Sequence, residues 1–262
     1  MIIVANWKMN PKTLKEAEKL FVSIGRGIKI RRKKRKKLPE IVICPPSVYL
    51  FNLKKELSSL RSLTPFLKAG AQDVFWEEEG AYTGEISPLM LKDVGCKYVI
   101  IGHSERRRYF GETDEMINKK VKAALKAGLY PILCVGETEK ERKKGNIGDI
   151  LRKQIKSALK GISGSELQTL RFSIAYEPVW AIGSGKACEA GEVRKVKLII
   201  KKVLSSLYSL DVVKKIRLLY GGSVNGSIAG KYIKDGEIDG LLVGGASLRA
   251  GEFLKIVDNS FE

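Results

Sequence analysis

A single histidine, His103, in 262 residues leaves no cluster of imidazoles from which a histidine-based metal site could be built. Cysteine is also scarce: Cys44, Cys96, Cys134 and Cys188 stand 52, 38 and 54 residues apart, and no Cys-x-x-Cys occurs. That spacing fits neither a zinc site nor a small disulfide scaffold. No apolar run approaches the roughly 20 residues that cross a bilayer. The opening Met1-Ile2-Ile3-Val4-Ala5-Asn6 reads as a short strand and lacks the charged start, long apolar core and small-residue cleavage site of a secretory signal, so a cytoplasmic protein without a membrane partner is expected. Acidic residues are in deficit, with 29 Asp and Glu against 48 Lys and Arg, a formal charge of +19. The excess favours anionic partners (phosphorylated metabolites, nucleic acid or acidic surfaces) without choosing among them.

What is present is a repeated alternation of short apolar runs with longer amphipathic stretches. The candidate strands are Ile2–Trp7, Ile41–Cys44, Lys68–Gln72, Tyr98–Ile101, Tyr130–Val135, Phe172–Glu177, Arg217–Gly221 and Gly240–Val243. Between them lie segments of helical spacing, such as Leu14-x-x-Ala17-x-x-Leu20-Phe21 and Ile117-x-x-x-Val121-x-x-Ala124-Leu125, the latter preceded by the cap Thr113-Asp114-Glu115. Strand–helix alternation means parallel strands. Eight units, 262 residues and 44% apolar content point to an α/β protein, a single closed (β/α)8 TIM barrel over residues 1–262. A doubly wound open sheet also fits the pattern. No linker or low-complexity block interrupts the chain. The one compositional break, Arg31-Arg32-Lys33-Lys34-Arg35-Lys36-Lys37, is self-repelling and reads as a solvated loop inserted before the second strand. No interleaved aromatics, RNA-binding motif or helix–turn–helix accompanies it to support nucleic-acid recognition.

In such a barrel the active site lies at the C-terminal strand ends. Strand one ends in Asn6-Trp7-Lys8, strand four in Gly102-His103-Ser104-Glu105, and strand six in Tyr176-Glu177-Pro178. Strands seven and eight end in Gly221-Gly222-Ser223 and Gly244-Gly245-Ala246. One amine, one imidazole and one carboxylate would share a mouth with two Gly-Gly turns, whose backbone N–H groups can approach a phosphate closely.

Five segments carry a resemblance. Ala5-Asn6-Trp7-Lys8-Met9-Asn10, Gly102-His103-Ser104-Glu105-Arg106-Arg107, Ala175 through Lys186, Tyr220-Gly221-Gly222-Ser223-Val224 and Gly240 through Leu248 are similar, in order and content, to the signature segments of the triosephosphate isomerases. The resemblance implies interconversion of dihydroxyacetone phosphate and D-glyceraldehyde 3-phosphate through an enediolate, without metal or organic cofactor. It implies that Glu177 is the base and His103 the electrophile, a pairing already well known in that family. It further assigns Lys8 to the developing enediolate charge, Asn6 beside it, and Glu105 as a supporting carboxylate. The backbone of Gly183, Ser223, Gly244 and Gly245 would cradle the phosphate, and Pro178 to Cys188 would form a lid. The segment from Gln72 to Glu85 is similar to the loop by which the family dimerises, with Thr83 reaching the partner's site, so a homodimer is implied.

The sequence departs from the family pattern in places. The far hinge reads Lys186-Ala187-Cys188, and Ser184 replaces a common threonine. The entry Glu189-Ala190-Gly191-Glu192-Val193 is about three residues shorter than usual, by the same resemblance. Leu198 stands near the place of an arginine that pairs with the carboxylate matching Asp239, which puts that pairing in doubt, and Asp73 replaces an asparagine. Altered lid kinetics with intact chemistry are the expectation. The competing readings are another phosphate-binding barrel of changed substrate and a catalytically idle basic scaffold that binds polyanions.

Overall fold

Largely apolar runs of four to six residues, buried along most of their length, pair side by side because helices cover one face and the side chains of the other strands fill the other. A computed structural model describes residues 1–34, 38–60, 63, 65–169, 171–182 and 187–260. In it the strands β1 (Ile2–Asn6), β2 (Glu40–Cys44), β3 (Leu67–Ala71), β4 (Cys96–Ile101), β5 (Tyr130–Val135), β6 (Ser173–Tyr176), β7 (Arg217–Tyr220) and β8 (Gly240–Val243) form one closed barrel in chain order. All pairings are parallel, and β1 meets β8 through Ile2 opposite Gly240 and Ala5 opposite Val243. The closed sheet removes the open doubly wound alternative.

Period-two alternation sorts the side chains. Ile2, Val4, Val42, Cys44, Tyr98, Ile100, Ile132, Cys134, Ala175, Leu219 and Leu242 fill the barrel interior. Ile3, Ala5, Ile41, Ile43, Val99, Ile101 and Leu133 join the larger outer layer under the helices. Continuing the inward register by two residues gives Asn6 after Val4, Glu177 after Ala175, Gly221 after Leu219 and Gly244 after Leu242. The polar chemistry therefore begins where the apolar filling of the barrel ends.

The helices that matter to the site form where the spacing places them. Helix α1 (Leu14–Lys34) buries Ala17, Phe21, Ile24 and Ile28, and Thr13 and Glu16 exchange hydrogen bonds of 3.2 and 3.3 Å at its start as a capping box. Helices α2 (Leu50–Ser59), α3 (Pro88–Asp93), α4 (Ser104–Tyr109) and α5 (Asp114–Lys126) follow, with Thr113 capping α5 by accepting from Met116 N–H. Then come α6 (Glu139–Lys143), α7 (Ile147–Ala158), α8 (Gly164–Thr169), α9 (Ala190–Ser205), α10 (Leu210–Lys215), α11 (Ala229–Lys234) and α12 (Ala250–Asn259).

The basic run is corrected by this arrangement. Arg31–Lys34 are the last turn of α1 rather than an inserted loop, while residues 35–37 lie outside the described residues. Cations suit a helix C-terminus, where the backbone carbonyls concentrate negative charge. Arg31 is also neutralised by a two-pronged pair with Asp258 of α12, its Nε donating to Oδ1 at 2.8 Å. Self-repulsion is thus offset by contacts that local sequence does not reveal.

Candidate active site

Asn6, Lys8, His103, Glu177, Ser223, Gly244 and Gly245 line one cavity of about 270 Å³ at the C-terminal mouth of the barrel, together with Arg249. Of the expected site residues, Glu105 stands just behind Lys8, Thr83 lies away on an exposed loop, and Gly183 falls outside the described residues.

Lys8 follows β1 in a left-handed backbone conformation, φ 54°, a strained state for a residue with a side chain. Asn6 holds it by accepting Lys8 N–H at 3.0 Å on Oδ1, and Gln72 Nε2 donates to the Lys8 carbonyl at 2.8 Å and to the Cys44 carbonyl at 2.9 Å. Lys8 thereby lines the cavity, and its ammonium pairs with Glu105, which stands outside that lining. Gly244 passes so close that an added Cβ would lie 3.2 Å from Lys8 Cε, so glycine lets the strand-eight turn close over the lysine.

His103 caps α4. Its Nδ1 accepts Glu105 N–H at 3.2 Å, which leaves the ring proton to Nε2. Nε2 faces Glu177 Oε1 at 3.2 Å. Glu177 is buried, with Oε2 accepting Ser104 N–H at 2.9 Å and Oε1 facing the imidazole edge. A carboxylate and an N–H donor therefore lie side by side in the lining of one cavity, close enough to act on neighbouring atoms of the same small carbonyl substrate. Gly136 permits the backbone here, since a Cβ on it would fall 1.8 Å from the Glu177 carbonyl oxygen. Cys134, beneath Glu177, is a core residue: burial, and the carboxylate beside it, push its thiol well above the ordinary range, so no thiolate nucleophile is offered. Among the described residues no three His, Cys, Asp or Glu side chains gather as a metal site.

Two residues that sequence reasoning passed over organise the rim. Glu137, fully buried after β5, receives Tyr176 Oη–H at 3.0 Å, Trp180 Nε1–H at 3.1 Å and Arg142 at 3.2 Å on one oxygen, and its carbonyl accepts Val179 N–H at 3.1 Å. The rule that found the other residues, a polar group just past a strand end, would have found it too. Tyr232 of α11 stacks on Tyr220, ring centres 4.1 Å apart. Between them they clasp Cys188, whose N–H donates to Tyr220 Oη at 3.1 Å and whose carbonyl accepts from Tyr232 Oη at 2.8 Å. The unusual hinge residue is thus held on both sides. Ser223 Oγ donates to the Ala181 carbonyl at 2.7 Å, tying the strand-seven turn to the same segment.

Two departures find their place. Leu198 is exposed, and Asp239 accepts Leu218 N–H at 2.8 Å instead of an arginine from α9; two cations of that helix, Arg194 and Lys197, go to Glu237 at 2.7 and 3.3 Å. Asp73 joins a quartet of charges. Lys120, almost wholly buried, lies 2.7 Å from Asp73 and also pairs with Glu112, while Arg106 reaches Asp73 at 2.9 Å and Glu112 at 3.2 Å.

The chain matches the family model described as triosephosphate isomerase over residues 1–260. The chain belongs to the triosephosphate isomerase family. It is 48% identical over 259 residues to the triosephosphate isomerase of Dictyoglomus thermophilum and 47% identical over 257 residues to that of Thermoanaerobacter pseudethanolicus, covering 98% of each chain in both comparisons. The crystal structure of the triosephosphate isomerase from Bartonella henselae superposes with a TM-score of 0.82 at 36% identity, covering 100% of this chain and 99% of that one. As a member of the family the chain is an isomerase that interconverts dihydroxyacetone phosphate and glyceraldehyde 3-phosphate, a step of glycolysis. Nothing in the relatives favours an idle scaffold.

Proposed function

We propose that the residues of the cavity divide the isomerase reaction as follows. Glu177 removes the proton from the carbon beside the substrate carbonyl and returns it to the neighbouring carbon. The Nε2–H of His103 polarises the carbonyl and exchanges its proton with the two substrate oxygens in turn. The Lys8 ammonium, fixed by Asn6 and Gln72, stabilises the negative charge of the enediolate. Glu105 supports Lys8, its other carboxylate oxygen lying 3.7 Å from His103 Nδ1. The backbone of Gly183, Ser223, Gly244 and Gly245 binds the phosphate, and Pro178 to Cys188 closes over it, anchored by Glu137 at one end and the tyrosine clasp at the other. The physical need is plain: a carbon acid beside a carbonyl is weak, so a base on one side must work with charge stabilisation on the other. The observation that carries the assignment is the 3.2 Å approach of Glu177 Oε1 and His103 Nε2 inside the one cavity that also holds Lys8 and both glycine turns. No step of this scheme calls for a metal or organic cofactor.

The test is isotopic. Dihydroxyacetone phosphate incubated with the enzyme in D2O should take up solvent deuterium on the carbon that is deprotonated, at a rate comparable with turnover in a coupled assay. Deuterium uptake by Glu177→Gln at the wild-type rate would remove Glu177 from the role of base.

The same reading makes the working unit a cytoplasmic homodimer of one-domain chains. In the loop after β3, Phe75 stacks on Trp76 and packs against Tyr82, which stiffens a projection on which Thr83 is exposed. Beside its base lies a groove of about 270 Å³ lined by Gln72, Asp73, Gly84, Glu85 and Arg106, and the nearby Met9 and Val48 are 92% and 74% exposed. A projection and a groove on one surface can satisfy each other twice across a two-fold axis. Sedimentation equilibrium should return twice the 29.1 kDa chain mass, and a monomer at micromolar concentration with full activity would refute the arrangement.

A further inference from the structure

Arg249 lines the substrate cavity, is exposed, and forms no side-chain hydrogen bond or ion pair with any described residue. The other cation of that cavity, Lys8, is already paired with Glu105, and the catalytic carboxylate of Glu177 adds a negative charge. Without Arg249, a dianionic phosphate arriving at this mouth would meet no net attraction from the lining side chains.

The position is also a poor one for arginine on structural grounds. Arg249 is the N-cap of α12, and its side chain makes no capping hydrogen bond. Serine, threonine, aspartate and asparagine serve there because their oxygens accept from the first free N–H groups. A cation at a helix N-terminus is opposed by the helix dipole as well. The fold thus gives this residue no stabilising task. The elements on either side do give it a direction: the preceding turn, Gly245–Leu248, starts at the expected phosphate cradle.

We infer that Arg249 is a substrate-recruiting cation, which draws the phosphate dianion of the triose phosphate to the cavity mouth and thereby sets the association rate rather than the chemical step. The inference rests on the triose-phosphate reading of the cavity. An unpaired charge at the lip of a low-dielectric cleft focuses the field outward, and its effect on association declines as salt shortens the screening length from about 30 Å at 0.01 M to about 3 Å at 1 M.

The experiment compares wild type, Arg249→Gln, Arg249→Lys and Arg249→Ser in steady-state kinetics with glyceraldehyde 3-phosphate at low and high ionic strength. Arg249→Gln should lose about 3–10-fold in kcat/KM at low salt, with the loss falling on kcat/KM rather than kcat and shrinking toward parity at high salt. Inorganic phosphate should inhibit this variant correspondingly more weakly, and Arg249→Lys should restore most of both effects. Arg249→Ser should show the same kinetic loss while its Tm rises by about 2–4 °C, because a cap replaces a misfit. Equal kcat/KM for wild type and Arg249→Gln at low salt, or a loss of the same size at both salt concentrations, would overturn the inference. So would a fall in Tm for Arg249→Ser, which would make Arg249 a structural residue. A wild-type enzyme without turnover would count against the isomerase reading instead, and direct titration with inorganic phosphate would still compare Arg249→Gln with wild type.

Discussion

Replacing Glu177 by glutamine should lower kcat by about 10²–10⁴-fold while leaving KM within a few-fold, because the amide keeps the shape of the side chain and an oxygen for Ser104 N–H but cannot accept a proton from carbon. The geometry narrows the expectation further. Glu177 is buried with His103 Nε2 as the close polar neighbour of its Oε1, and among the described residues no other carboxylate lines the cavity to take over. Glu105 is committed to Lys8. The measurement is a coupled assay in both directions, alongside thermal unfolding to show that the variant is folded. A drop below about tenfold in a folded variant would mean that another group moves the proton. A rise in KM alone, with kcat unchanged, would make Glu177 a binding residue.

The second large effect concerns stability. Lys120→Met should destabilise the protein by about 3–5 kcal/mol, since it strips the central cation from Asp73 and Glu112 and leaves buried carboxylates short of a partner. The loss should depend on pH in a defined direction. Burial already raises Asp73 above its ordinary 3.8, with Lys120 the strongest influence pulling it back and Glu112 pushing it up. Removing Lys120 lifts it further. Between 3.8 and the raised value the folded chain then holds a proton that the unfolded chain has released, so stability falls as pH rises through that window and returns on acidification. Denaturant midpoints should therefore show the deficit of Lys120→Met shrinking from pH 7 toward pH 5. Adding Asp73→Asn should recover part of it, because one of the stranded charges is gone. A deficit below about 1 kcal/mol, or one that does not change with pH, would mean that the quartet contributes little beyond its packing.

Much of this molecule was legible in its residues, and the reasons differ from place to place. Strands β5 and β8 run over the residues their apolar runs predicted, Tyr130–Val135 and Gly240–Val243, because continuous apolar runs of four to six residues suit strands covered on both faces. Asn6 and Glu177 were legible because a period of two carries the inward face straight from Val4 and Ala175 to them. Strand six stops at Tyr176, one residue before its expected end, where Glu177 turns its carboxylate to the cavity. Lys120 was passed over although it lies three residues after Ile117 on the buried stripe of α5; a lysine is ordinarily taken as solvated, and only the acids brought from Asp73 and Glu112 explain it. Arg31 failed for a similar reason. Its partner Asp258 is 227 residues away, and repulsion among sequence neighbours says nothing about a carboxylate on another helix. Tyr232 illustrates the opposite case: no motif marks it, and its role at Cys188 exists only once α11 is folded against the barrel.

The barrel closes by pairing its first strand with its last, and the catalytic mouth straddles that seam. Asn6 and Lys8 leave β1 on one side of it, while Gly244, Gly245 and Arg249 follow β8 on the other. These two sides are separated by nearly the whole chain, so their meeting is the contact with the longest loop to close and the greatest entropic delay. Lys8 precedes Gly244 and Gly245 of the proposed phosphate cradle by more than two hundred residues, so during synthesis the amine must wait for the glycine turn after β8. Activity therefore cannot grow gradually with chain length: it switches on with ring closure, which makes turnover during refolding a clock for the final topological step rather than for the formation of helices and strands.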